Sequence, residues 1–243
     1  MTQSLTTQEL VIVVAVKNNN PTILNADFLK YSGVVPAEWE LARPPVYTNQ
    51  VVQIIFQNGI SIAAQADRIM FLEAIGTKNL NTLEVAEVAY KYIEALPRAE
   101  YQAVGINLRS YVGYENDADG AYQYICNKLL SAGKWQNYGD TPAKASINYF
   151  YNLENRQLSL SVNEATLQFP EQVTLPVVLF SGNFSYDLGE SEPKERLKNI
   201  GEIIANWKED LNTYTNLINE GFLAHLEVNT SEAADLFPRS SSF

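Results

Sequence analysis

Pro45 to Gln65 reads PVYTNQVVQIIFQNGISIAAQ, and Pro142 to Asn163 reads PAKASINYFYNLENRQLSLSVN. Phe56-Gln57-Asn58 in the first stretch answers Phe150-Tyr151-Asn152 in the second, Ile60-Ser61-Ile62 answers Leu158-Ser159-Leu160, and Gln65 answers Asn163. Alternating apolar and polar residues on either side of a turn mark a β-hairpin with one buried face. In the first stretch Asn58-Gly59 supplies the turn, with both central positions expected at positive φ. In the second, Asn152 to Arg156 is longer. Two matching hairpins in one chain predict an internal duplication.

The surrounding sequence repeats the same order. Leu10 to Val16 is apolar at every position, as in a strand at the centre of a sheet. A short helix is expected over Thr22 to Tyr31, ending at Gly33. Beyond the first hairpin come a strand over Asp67 to Ala74 and a helix capped by Asn81 or Thr82, with Leu83, Ala86, Tyr90 and Ile93 as its buried stripe. The second half restarts with a strand over Tyr101 to Val112, then a helix from Asp117 or Asp119 to about Ser131, with Gly133 past its end. After the second hairpin follow a strand over Leu175 to Leu188 and a last helix from Pro193. Its Leu197, Ile200, Ile204, Trp207, Leu211, Tyr214 and Ile218 alternate steps of three and four, which suits a helix laid on the sheet or a coiled coil.

The expected fold is therefore α+β. A unit of strand, helix, antiparallel strands and helix occurs twice and forms an antiparallel sheet backed by helices. The halves are 1–97 and 98–226, packed as one compact domain, with a polar tail at 227–243. This element order resembles the saddle architecture of the TATA-box-binding-protein-like folds. The resemblance implies a fold and no function, because no sequence motif of that family is present.

Charge and residue counts narrow the chemistry. A formal net charge of −11 argues against nucleic acid and against an anionic membrane surface. No apolar run approaches bilayer length and no signal peptide is visible, so a cytoplasmic location is expected. Cys126 and His225 are each the sole residue of their type, which excludes an intrachain disulfide and multi-histidine metal sites. Cys126 is expected to be an inert buried thiol and His225 a surface residue. Glu115 to Gly120 looks like the opening of a calcium loop, but Cys126 stands where the bidentate carboxylate belongs. Glu38 and Glu40 share a strand face around Trp39 and read as solvated. Glu190, Glu192 and Glu195 complement a helix N-terminus. No phosphate-binding glycine loop is present, and no cofactor is expected.

Two functions remain. One is a protein-interaction or self-association module that uses the sheet face or an edge strand to meet a protein partner or a second copy. The candidate surface is Ser61, Gln65, Tyr149, Tyr151, Ser159, Ser161 and Asn163. The Leu and Ile residues between these positions should face the helices. The other is a small-ligand binder or enzyme with a pocket between sheet and helices.

Overall fold

The structure is a computed structural model that describes residues 4–48, 50–169 and 173–224. His225 and the 227–243 tail lie outside the described residues. The strands are β1 (Thr6–Lys17), β2 (Val46–Tyr47), β3 (Val51–Ile55), β4 (Ile60–Gln65), β5 (Arg68–Ala74), β6 (Glu100–Gly113), β7 (Ser146–Asn152), β8 (Gln157–Gln168) and β9 (Thr174–Asp187). The helices are α1 (Ala26–Tyr31), α2 (Val85–Ala95), α3 (Gly120–Gln123), α4 (Pro193–Ala205) and α5 (Trp207–Asn216).

All nine strands join one antiparallel sheet in the order β2-β3-β4-β5-β1-β6-β9-β8-β7. Outward from β1 the neighbours are β5, β4 and β3; outward from β6 they are β9, β8 and β7. We call β1 to β5 the first wing and β6 to β9 the second. They meet along β1 and β6, where Leu10, Ile12 and Val14 stand opposite Leu108, Ile106 and Val104.

The helices lie on one face. The Pro21–Ile23 turn covers β3 and β4, α2 covers β5 and β1, α4 and α5 cover β6, and α3 covers β9 and β8. Side chains two apart on a strand share a face, so every second residue enters this core. These include Leu10, Ile12, Val14 and Val16 of β1 and Leu158, Leu160 and Val162 of β8, all buried. Ile60, Ile62 and Ala64 of β4 are buried in the same way, as their alternation predicts.

Several local expectations change. The first hairpin turns through Gln57, Asn58 and Gly59, and only Gly59 has positive φ, at 87°. Gly59 N–H bonds Phe56 O at 3.1 Å and Phe56 N–H bonds Ile60 O at 2.8 Å, so the turn closes with a bulge at glycine. An odd number of residues separates Phe56 from Ile60, and an even number separates Asn152 from Gln157. The alternation therefore arrives on opposite faces: Phe56 is buried under the helices, while Phe150 is 80% exposed on the other side. Tyr151, opposite Leu158, holds the place that Phe56 holds opposite Ile60.

Neither Asn81 nor Thr82 caps α2. The cap comes from β5, where buried Glu73 accepts from the N–H groups of Glu84 and Val85 at 2.8 and 2.9 Å. The buried stripe of α2 is Val85, Val88, Ala89, Tyr92 and Ile93, while Tyr90 is exposed. Leu83 precedes the helix, so the stripe is counted from Val85. Beyond Gln123, α3 widens into a π-turn over Tyr124–Leu129. The last helix is two: α4 ends at Ala205, α5 restarts at Trp207, and a π-turn follows over Leu217–Leu223. Ile200, Ile204, Trp207, Leu211, Tyr214 and Ile218 are buried against the chain's own sheet, so the stripe is core and not an exposed coiled-coil seam.

Candidate functional site

The face of the sheet away from the helices is the first candidate. Among the described residues, no helix lies on it. In the second wing serine and asparagine make the middle of this surface, flanked by Tyr111 and Leu179 on one side and by Phe150 at the edge. Ser161 stands between Ser181 and Asn148, and Ser159 between Asn183 and Phe150. Asn183 donates to Asn107 across β9 and β6, Ser146 donates to Asn163 Oδ1, and Asn163 donates to Ser161 Oγ at 3.4 Å.

The outer face of the first wing is aliphatic. Val11 stands opposite Leu72, Val13 opposite Met70, Ala63 opposite Met70, and Ser61 between Ile55 and Leu72. Gln53 reaches over to Ser61 Oγ at 3.4 Å. Where the wings meet, Glu9 and Arg109 face each other and neutralise one another at 3.1 Å. An antiparallel sheet with one wet face normally alternates apolar and polar residues. β1 does not: Val11, Val13 and Ala15 are apolar on the outer side and only half-buried. The Leu10 to Val16 run reads as buried on both faces, and the described chain covers one.

Five of the seven predicted surface residues share this outer face: Ser61, Gln65, Ser159, Ser161 and Asn163, all half-buried. The other two do not. Tyr149 and Tyr151 stand opposite Leu160 and Leu158 and therefore point to the helix side. There Tyr149 stacks on Tyr151 at 6.3 Å and meets the edge of Phe222 at 5.2 Å. Sharing a strand face is not the same as sharing the outer one.

The second candidate lies on the helix side of the second wing. Arg156, at the end of the β7–β8 turn, reaches Asp210 of α5, with Nε 2.9 Å from Oδ1. The Tyr186 hydroxyl contacts both carboxylate oxygens at 2.9 Å. The guanidinium lies over the rings of Phe184 and Tyr186, at 5.6 and 6.0 Å from their centroids. Burial raises the Asp210 carboxyl to about 6, opposed by Tyr186 and Arg156. Burial and the neighbouring Asp210 push the Tyr186 phenol up. A polar cavity of about 300 Å³ opens beside the pair, lined by Asn199, Glu202, Asn206 and Glu209 among others. A more apolar groove of about 480 Å³ runs between α2 and α4 over Ala86, Tyr90, Gly201, Ile204 and Trp207.

None of Arg156, Tyr186 and Asp210 was singled out in the sequence, although a signal existed. Asp210 lies three residues after Trp207 and four before Tyr214, inside the apolar stripe. Arg156 keeps step with Leu158 and Leu160, the inward residues of β8. A charge at an inward position needs a partner, and that rule pairs them.

The other polar positions are unremarkable chemically. Glu38 and Glu40 are exposed, and Trp39 packs edge-on to Phe56 at 5.2 Å. Cys126 is buried, and desolvation raises its thiol pKa, which disfavours thiolate chemistry. Among the described residues no group of three or more His, Cys, Asp or Glu is placed to hold a metal ion. No helix among them is long and apolar enough to cross a membrane. No protein-family model matches the chain, and no curated protein matches it in sequence.

Proposed function

We propose that the chain is a protein-interaction module whose working surface is the outer face of its sheet. The observation that carries this reading is β1, whose Val11, Val13 and Ala15 are apolar on the side the helices leave bare. With Ala63, Met70 and Leu72 they make a contiguous aliphatic area across β4, β5 and β1. Burying apolar area is worth about 25 cal/mol per Å², so a partner gains most there. The matching partner is a protein surface that is itself apolar and uncharged. Glu9 and Arg109 on the bare face neutralise each other, so it meets such a surface without repulsion.

We further infer that the two wings are duplicated halves, at 1–97 and 98–226. The support is the strand order, which runs β1-β5-β4-β3 in one direction and β6-β9-β8-β7 in the other. The likeness to TATA-box-binding-protein-like saddles rests on element order alone and brings no nucleic-acid function with it. A small-ligand site beside Arg156 and Asp210 is the second reading. It ranks lower because the two charges there already compensate each other.

A photo-crosslinking residue placed at Val13, on the outer face, and separately at Lys208, on the helix layer, tests the main reading in the protein's own cells. Crosslinks to one defined protein from position 13, lost on adding Leu72→Arg, are expected. Crosslinks from position 208 alone, or none from position 13, overturn it.

A further inference from the structure

The two ends of the sheet are finished differently. At one end β2 is only Val46–Tyr47 and follows Pro44-Pro45, a short edge that offers little to pair with. At the other end β7 spans Ser146–Asn152, SINYFYN, and contains no proline, lysine or other charge. Such residues are what natural edge strands commonly use to block strand addition. β7 lacks them.

The hydrogen-bonding direction follows from the turn. Leu153 N–H bonds Arg156 O at 2.9 Å. Bonded and non-bonded pairs alternate along an antiparallel ladder, so Tyr151/Leu158, Tyr149/Leu160 and Ile147/Val162 are the pairs that bond inside the hairpin. The N–H and C=O groups of Asn148, Phe150 and Asn152 therefore point away from β8, to the free edge. Among the described residues no backbone group meets them. The side chains of all three are exposed, and Phe150 is 80% exposed.

The sequence at that edge is a palindrome, Asn148-Tyr149-Phe150-Tyr151-Asn152. We propose that β7 is a self-pairing edge, through which two copies of the chain join antiparallel with Phe150 facing Phe150 across a twofold axis. A twofold contact brings the same patch of each copy together, and a palindrome read antiparallel matches itself at every position. In this register Asn148 of each copy faces Asn152 of the other. Tyr149 faces Tyr151 in the closer, non-bonded pair, where aromatic cross-strand pairs contribute most. Each bonded pair exchanges two backbone hydrogen bonds, which occupy the outward groups of Asn148, Phe150 and Asn152. The axis is perpendicular to the sheet, so both helix layers fall on one side. The bare faces then join on the other side, with the serine- and asparagine-rich wings in the middle and an aliphatic wing at each end. The inference goes beyond the proposed binding of a partner on the outer face and does not depend on it.

Sedimentation velocity of the purified chain across a concentration series is the test. The wild type is expected to shift to twice its 27.2 kDa mass as concentration rises. Asn148→Lys with Asn152→Lys places like charges opposite each other at both ends of the contact and should raise the dimer dissociation constant at least tenfold. Asn148→Lys with Asn152→Glu keeps two charged residues but makes the facing pairs attract, and should restore the dimer. Phe150→Cys in a Cys126→Ser background should oxidise to a covalent dimer, since the facing positions fall within disulfide reach. Circular dichroism of each variant checks that the fold is kept. A chain that stays monomeric at every concentration overturns the proposal. So does a dimer indifferent to the double lysine variant, or one that the lysine–glutamate variant fails to rescue. Leu72→Arg should leave this dimer intact, which separates its failure from that of the outer-face reading.

Discussion

The two wings of the sheet share a strand order and differ in what they do with it. Each buries one carboxylate on the helix side and leaves one face bare. In the first wing, Glu73 is held by Lys78 Nζ at 2.7 Å and by two N–H groups at the start of α2. That carboxylate is fully occupied by holding a strand to a helix. In the second wing, Asp210 is met among the described residues by the side chains of Tyr186 and Arg156, with a cavity beside them. On the bare face the contrast reverses. There the second wing pairs serine with asparagine beside Tyr111, Leu179 and Phe150, while the first presents valine, alanine, leucine and methionine over three adjacent strands. Similar topology does not distribute unmet demand equally: the first wing lacks a cover for apolar area, and the second holds a buried carboxylate with no backbone donor among the described residues.

The sharpest difference should appear when each carboxylate loses its cation. Arg156→Ala strands Asp210 in the core and should cost about 3–5 kcal/mol at neutral pH. Lys78→Ala leaves Glu73 its two backbone donors and should cost about 1–2 kcal/mol. Urea unfolding of both variants measures the pair, and equal costs would erase the distinction.

Next in size is the division between faces in the second wing. Leu160→Ala should cost about 2–5 kcal/mol through the cavity it opens. The neighbouring Ser161→Arg should stay within about 0.5 kcal/mol, since its side chain enters no core. Denaturant midpoints that reverse this order would invert the assignment of the faces.

A smaller effect depends on pH. Asp210 has a folded pKa of about 6 against an ordinary 3.8, so the folded chain holds that proton more tightly than the unfolded one. Stability should therefore fall as pH rises from about 4 to about 6, by on the order of 2–3 kcal/mol. Burial sets this behaviour, opposed by Tyr186 from β9 and Arg156 from the β7–β8 turn and reinforced by Glu209 beside it on α5. Asp210→Asn should flatten that slope, and thermal melts across the range read it. An unchanged slope in the variant would place its source in another carboxylate.

Much of this fold is legible in the sequence, because hydrophobic alternation at a period of two fixes which residues of β4 and β8 enter the core. The α+β class, both hairpins and the inward stripe from Ile200 to Ile218 follow from such periods. Register across a turn is harder to read. The turn from Asn152 to Gln157 holds one residue more than the turn from Phe56 to Ile60, which exchanges the faces, and similarity between Phe56 and Phe150 hides it. The cap of α2 was not legible from its neighbours, because Glu73 comes from a strand eleven residues before Glu84. The outer-face candidates were partly legible. Alternation placed Ser61, Gln65, Ser159, Ser161 and Asn163 correctly on the bare face, but the side of Tyr149 and Tyr151 depends on pairing that only the ladder fixes. The aliphatic outer side of β1 was visible as an unbroken apolar run, and what it lacked was the knowledge that helices cover only one side.

The central claim is that a protein surface covers the outer face of the first wing, and Met70 reports on that face. Its thioether lies between Val13 and Ala63, half-buried, where dilute peroxide can oxidise it. Mass spectrometry of Met70 oxidation should show rapid sulfoxide formation in the isolated chain and several-fold slower formation when peroxide is applied to the protein's own cells, after correction with an exposed methionine reporter. Equal corrected rates in the two settings would contradict the claim.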